Sequence, residues 1–156
     1  MSDISSRKLI YQKVNGRLAQ FKEWTNTAED WDNIWIGSNI RKILNDKITD
    51  LGELNLIRNY LPRKAKILEA GCGTGWVVQA LSLCGYDIEG IDYAENSIAL
   101  INQIAPELNV RYGNVLSIDV PDNTFGAYIS LGVLEHNIKG PSQGLQEAYR
   151  VLQSGG

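Results

Sequence analysis

Residues 67–76 read Ile67-Leu68-Glu69-Ala70-Gly71-Cys72-Gly73-Thr74-Gly75-Trp76. A short apolar run with one acid enters a cluster of glycines, and a helical pattern leaves it over Trp76 to Leu83. Glycine at a strand-to-helix bend permits a tight turn and lets backbone approach a ligand with no Cβ in the way. In open α/β sheets, the carboxyl end of a strand is where ligands bind. The dinucleotide fingerprint Gly-x-Gly-x-x-Gly needs its third glycine for close helix packing beside a pyrophosphate. Here that third position is Trp76, the spacing is Gly-x-Gly-x-Gly, and Glu69 precedes the first glycine by two. A nicotinamide- or flavin-binding reading is therefore disfavoured.

Working outward, the pattern alternates. Tyr86 to Asp92 reads as a strand, Asn96 to Ala105 as a helix ended near Pro106, and Val110 to Tyr112 as a short strand. Ala127 to Leu131 is another strand, and Ser142 to Leu152 a helix with Leu145, Tyr149 and Leu152 aligned. Strands alternating with helices of about ten residues imply βαβ units and a parallel sheet. Continuous apolar runs such as Tyr128 to Leu131 fit strands covered on both faces. Before Pro62 the pattern is helical. Asp50 and Glu53 are spaced for a capping box ahead of Leu54, Ile57 and Leu61. A helix is predicted over Ile40 to Ile48, and a first one from Ile10, Val14, Leu18 and Phe21, with Gly16 its weak point. Trp24, Trp31 and Trp35 fall in a more irregular stretch. The chain thus divides into a helical cap, 1–61, and an α/β core, 62–156, within one domain.

The gross numbers suit this. The chain has 156 residues, 44% apolar and 21% charged, with a formal charge of −3. That balance offers no electrostatic reason to expect nucleic acid or a membrane surface as partner. Met1 to Gln20 carries charges throughout, unlike a secretory leader, so a cytoplasmic location is expected. Cys72 and Cys84 are too few for a disulfide framework and should be reduced thiols. A single histidine, His136, makes a structural zinc site improbable.

Several segments in order now carry a resemblance. Glu69-Ala-Gly-Cys-Gly-Thr-Gly75 resembles motif I of class I S-adenosylmethionine-dependent methyltransferases (type 11/25-like). Ile88-Glu-Gly-Ile-Asp92 resembles the family's second strand, Gly113-Asn114-Val115 the segment usually reading Gly-Asp-Ala, Asn123 to His136 the fourth-strand region, and Glu147 to Gly156 the helix and Gly-Gly turn after it. The match runs from about Ala65 to Gly156. It implies a Rossmann-like doubly wound parallel sheet in the order 3-2-1-4, with the family's strands five to seven absent.

The resemblance implies S-adenosyl-L-methionine as cofactor and S-adenosyl-L-homocysteine as product. The implied binding residues are Glu69, Gly71, Cys72, Gly73, Gly75, Asp92, Tyr93, Asn114, Val115 and Leu131. Asp92 would accept from the ribose hydroxyls, and Glu69 would hold the loop and the methionine end. Asn114 stands where aspartate is commoner, and its amide oxygen would accept from the adenine amino group. Ile91 and Tyr93 would pack beside the adenosyl group or simply in the core; Leu131 and Gly132 would floor the reactive methyl. The amino-terminal segment would cap the pocket, with Trp24, Trp31 and Trp35 lining it or serving the core.

The implied reaction is methylation of a small-molecule acceptor at O, N or C. Its leaving group is already activated, so positioning supplies much of the rate. A base is needed only for an acceptor with a high-pKa proton. His136 is the candidate, with a packing or helix-start histidine as the rival reading. Gly132, where some quinone O-methyltransferases have an acid, argues against a metal beside Glu135 and His136. Ser130-Leu-Gly-Val133 differs from the motif of amino-methylating DNA enzymes. A sheet ending at its fourth strand would leave an apolar edge: either the chain is truncated after the fourth-strand region, or a second copy or partner chain covers that edge. The rival reading of function is a cofactor-binding fragment or regulatory subunit without turnover.

Overall fold

The computed structural model describes residues 10–14, 17–21, 27–45, 52, 54–137 and 139–156. In chain order the elements are β1 (Ile10–Val14), β2 (Arg17–Phe21), α1 (Ala28–Gly37), α2 (Ile40–Asn45), α3 (Leu54–Ile57) and β3 (Ile67–Ala70). There follow α4 (Trp76–Leu83), β4 (Ile88–Asp92), α5 (Glu95–Ile104), β5 (Val110–Tyr112), β6 (Ala127–Ile129) and α6 (Ser142–Val151).

Strands β3 to β6 form one parallel sheet in the order β5-β4-β3-β6, the expected 3-2-1-4 order of a doubly wound fold. Ile67 pairs with Ile88 on one side and with Ala127 on the other, and Gly90 pairs with Val110. The chain steps outward from β3 to β5 and then returns to the opposite side of β3. That reversal creates a crevice at the carboxyl ends of β3 and β6. The hydroxyl of Ser130 donates to Ala70 O at 3.0 Å and ties those two ends together. β5 and β6 are the edge strands.

Both faces of the sheet are covered, as the apolar strand runs require. On one face Val77, Val78 and Leu81 of α4, Ile98 and Ile101 of α5, and Ile40 and Leu44 of α2 pack on Ile67, Ile88 and Ile129. On the other, Val151 of α6 joins Leu68, Ile91, Ile118 and Phe125. Close packing of α4 depends on Gly90, because a Cβ there would lie 2.7 Å from Val78 Cγ2. The glycine that a dinucleotide fold places on the helix stands here on the neighbouring strand. That leaves Trp76 free to open α4 at 39% exposure.

Glu89 interrupts the apolar face. It is buried on β4, between Lys66 and Arg111, and the latter's Nε donates to it at 2.7 Å. Burial pushes its carboxyl up, but the hydrogen bonds and charges of Lys66 and Arg111 prevail and hold it below its usual range.

The amino-terminal segment differs from the sequence expectation. Residues 10–14 and 17–21 are strands rather than helix: β1 and β2 pair antiparallel, from Ile10 opposite Phe21 to Val14 opposite Arg17. The residues between them are Asn15-Gly16, the dipeptide most favoured in two-residue hairpin connections. Spacings of four residues put apolar side chains on one face of a helix and equally on one face of a strand, so periodicity alone misreads this segment. The stretch expected to be irregular contains α1, which carries Trp31 and Trp35. Its start is a capping box: Thr27 Oγ1 accepts from Asp30 N at 3.2 Å, and Asp30 accepts from Thr27 N at 3.0 Å. Asn39, at φ 61°, turns the chain from α1 into α2. Trp24, residues 46–48, Asp50 and Glu53 lie outside the described residues, so neither the far end of the second predicted helix nor its neighbour's capping box is on view.

Candidate cofactor site

A cavity of about 290 Å³ opens at the carboxyl ends of the strands. The β3–α4 loop forms its base, Asp92 and Tyr93 at the tip of β4 one wall, and Asn114 to Leu116 another. Leu131 to Val133 after β6, Leu134 and His136 close a third side, and Trp31 and Trp35 of α1 stand across it.

The glycine loop is shaped by backbone bonds. Gly71 N and Cys72 N both donate to Ile91 O, at 2.8 and 2.9 Å, and Gly75 N donates to Cys72 O at 2.8 Å. Gly71 and Gly73 have φ of 88° and 52°, a region that costs any residue with a Cβ. A Cβ on Gly71 would lie 2.3 Å from Val133 Cγ2, and one on Gly73 3.1 Å from the Trp35 ring. Gly75 does not line the cavity. With φ of 77° it begins α4, and a Cβ there would meet Ile101 and Leu108 in the core. Its work is to aim the helix.

Two buried carboxylates face the cavity. Asp92 accepts from Gly73 N at 2.8 Å through Oδ2 and from Ala94 N at 2.9 Å through Oδ1, so it joins the glycine loop to the start of α5. Burial lifts its carboxyl above the usual range, against the lowering effect of hydrogen bonds from Ala94, Gly73 and Tyr93. Glu69 is 4% exposed, and its Oε2 has no hydrogen-bond partner among the described residues. Burial, with the charge of Asp92 added, drives it well above the ordinary carboxylate range, while a backbone bond from Val78 works the other way. The same burial, reinforced by Glu69 and Asp92, raises the Cys72 thiol, which is free, as is that of Cys84. Tyr93 is pushed up to about 12 by burial and by the charges of Asp92 and Asp30, despite a hydrogen bond with Trp31.

The remaining expected residues are less uniform. Asn114 Oδ1 accepts from Leu116 N at 2.9 Å. Only the amide oxygen can accept, so that bond turns the NH2 of Asn114 the other way. That oxygen keeps a second lone pair and can still accept, and the NH2 can donate as well. Val115 and Leu131 line the cavity, the latter half-exposed. The loop that carries Asn114 and Val115 is gripped from α6. Arg150 donates to Ile118 O at 2.7 Å and Val120 O at 2.8 Å, and Glu147 accepts from Ile118 N at 2.7 Å. His136 is exposed at the mouth, on a single 3-10 turn, with its ring edge-on to Trp31 at 5.1 Å. Among the described residues no cluster of three His, Cys, Asp or Glu could hold a metal ion, and no helix is long and apolar enough to cross a membrane.

Asp32 is the residue that sequence reading missed. It is 6% exposed, lies on α1, and receives bonds from Ser97 N at 2.7 Å, Ser97 Oγ at 2.8 Å, Asn96 Nδ2 at 2.8 Å and Asn96 N at 3.3 Å. The signal was the capping pair Thr27 and Asp30, which would have placed α1 and, on it, an acid beside the apolar Trp31, Ile34 and Trp35.

Comparison with known proteins agrees with this geometry. Residues 68–156, more than half of the chain, match the family described as a methyltransferase domain. A probable S-adenosylmethionine-dependent methyltransferase of Mycolicibacterium smegmatis is 31% identical over 90 residues, covering 58% of this chain and 35% of that protein. The ubiquinone biosynthesis O-methyltransferase of Pseudomonas putida is 30% identical over 118 residues, covering 68% and 50%. A TehB-like S-adenosylmethionine-dependent methyltransferase from Corynebacterium glutamicum superposes with a TM-score of 0.61 at 28% identity, covering 83% of this chain and 68% of that one. The chain spans about a third to a half of the length of the curated relatives it matches. A parallel 3-2-1-4 sheet, a glycine bend tied to an acid at the tip of the next strand, and a family match across the whole of that core lead to one assignment: the chain belongs to the class I S-adenosylmethionine-dependent methyltransferases.

Proposed function

We propose that the cavity binds S-adenosylmethionine and that the protein transfers its methyl group to a small-molecule acceptor. The observation that carries the placement is the orphaned, buried Oε2 of Glu69 beside Asp92 at the foot of a glycine bend. A buried polar atom without a partner is costly, and a cationic donor relieves both that cost and the repulsion between the two acids. The cofactor fits this demand, since it brings an ammonium and a ribose diol to a site of acids and bare backbone. When bound, it supplies a methyl group on a sulfonium, activated for in-line displacement.

The chain's own residues do the rest. Glu69 accepts from the ammonium end. Asp92 keeps acceptor capacity on both oxygens beyond its two backbone bonds and takes the ribose hydroxyls. Asn114 presents its NH2 to a ring nitrogen of adenine, beside the apolar Val115. Trp31, Trp35 and Tyr93 exclude water. His136, at the mouth, takes the proton from an oxygen or nitrogen acceptor that carries one. The acceptor class follows the named relatives, among them a ubiquinone O-methyltransferase. A second copy of the chain, or a partner, is proposed to cover the β6 edge.

Calorimetric titration with S-adenosylhomocysteine, and with NAD as the rival, tests the site. Saturable binding of the first and none of the second is expected; the reverse rejects the assignment. Methyl transfer from labelled S-adenosylmethionine across phenolic, amine and carbon acceptors then tests turnover. Binding with no transfer to any of them would favour the regulatory-subunit reading.

A further inference from the structure

Helix α5 begins without a cap of its own. Its N-cap position is Ala94, which has no side chain to accept from the first turn. Side-chain oxygens at that position ordinarily accept from the second and third helical N–H groups, here those of Asn96 and Ser97. Both donate instead to Asp32, 64 and 65 residues earlier in the chain, and the side chains of Asn96 and Ser97 donate to it as well. A carboxylate this buried is costly unless its oxygens are bonded, and four donors meet that need. Burial pushes the carboxyl of Asp32 up, but those bonds outweigh it and hold the group below its usual range, so it stays charged.

The latch is coupled to the cavity from both sides. On the α5 side, the capped turn follows directly on Asp92 and Tyr93, and Ala94 N is one of the donors to Asp92. On the α1 side, Asp32 lies next to Trp31, which stacks on Trp35 with ring centroids 5.4 Å apart and is hydrogen-bonded with Tyr93. Trp35 in turn rests on the glycine loop, 3.1 Å from where a Cβ of Gly73 would be. An apolar side chain at position 32 would pack α1 against α5 without fixing how the helix is turned. Four directional bonds fix it.

We infer that Asp32 is a positioning residue for cofactor retention, capping α5 from α1 and so holding the Trp31–Trp35 pair over the glycine loop. The inference rests on the cavity being the S-adenosylmethionine site, and it concerns how long the ligand stays there rather than whether the site exists. A purely structural Asp32 would lower thermal stability and leave ligand exchange alone. A positioning Asp32 speeds ligand escape.

The test is stopped-flow displacement of S-adenosylhomocysteine followed by tryptophan fluorescence, alongside thermal melting, for the wild type, Asp32→Ala, Asp32→Asn and the double variant Asn96→Ala/Ser97→Ala. Asp32→Ala should raise the dissociation rate about tenfold, with an association rate changed less. Asp32→Asn keeps one acceptor oxygen and should recover part of the loss, with a rise of about threefold. The double variant strips the side-chain donors, leaves the backbone ones, and should also rise about threefold. Wild-type dissociation rates in folded variants, whatever their melting temperatures, overturn the inference. If Asp32→Ala does not fold, the double variant decides by the same criterion. A wild-type chain that fails to bind the ligand overturns the site reading and this inference together.

Discussion

Two aspartates meet at the start of α5 and have opposite fates. Asp92 comes from the strand just before it, and Asp32 from a helix more than sixty residues away; both are about 5% exposed and both accept from backbone N–H groups there. Asp32 has four donors and sits below its usual range; Asp92 faces the cavity with fewer side-chain donors and sits above it. Surface exposure is alike, but Asp92 lies deeper beneath the surface, so desolvation outweighs its backbone donors, whereas at Asp32 the four donors prevail. Glu69 extends the series, with one oxygen lacking a partner among the described residues and the strongest upward shift of the three. Acids that the protein satisfies hold the structure together, and acids left short of donors face the place where a ligand must supply them.

Breaking the under-supplied side should have the largest effect. Asp92→Ala removes a charged acceptor and unties Gly73, and should weaken S-adenosylhomocysteine binding by about 1–3 kcal/mol, roughly 5- to 150-fold, in a titration of folded protein. An unchanged dissociation constant would refute its role. On the satisfied side, Asp32→Ala should cost about 0.5–2 kcal/mol of stability, the usual cost of a lost helix cap, read from denaturant midpoints.

A third experiment sharpens the contrast through pH. Glu69 has its carboxyl raised in the folded protein, so in the ligand-free chain the native state binds more protons than the unfolded state above the ordinary glutamate range near 4.3. Its contribution to stability is therefore full below that range and is lost as pH rises through the raised value. A cationic ligand favours the ionised form, so binding should release protons. Calorimetry in two buffers of different ionisation enthalpy measures the release, and Glu69→Gln should reduce it. Equal release by wild type and variant would remove Glu69 from the site. The smallest effect is expected from Asn114→Asp, which keeps the acceptor for Leu116 N and changes only the group offered to adenine; affinity should shift less than about tenfold, within 1.4 kcal/mol.

Legibility in the sequence followed the same divide. The core was readable because βαβ alternation is local: each strand, bend and helix from Ile67 to Val151 announces itself, and its order carries the topology. The cavity-lining residues were readable because they lie at strand ends. What escaped depends on contacts distant in sequence. Nothing near Asp32 shows that its partners are Asn96 and Ser97; the bond from Leu116 N to Asn114 is the exception, a local Asx turn that the residue type alone does not announce. Gly75 looked like its neighbours but turns toward Ile101 and Leu108, which only packing reveals. The β1–β2 pair was misread where one apolar spacing fits two periods, although Asn15-Gly16 was the better guide.

A crystal structure with S-adenosylhomocysteine bound is the most direct test of the whole account. The ribose should lie against Asp92, the ammonium against Glu69 and the adenine beside Asn114 and Val115, with Trp35 still over Gly73. Ligand density outside the crevice between the tips of β3, β4 and β6 would contradict it.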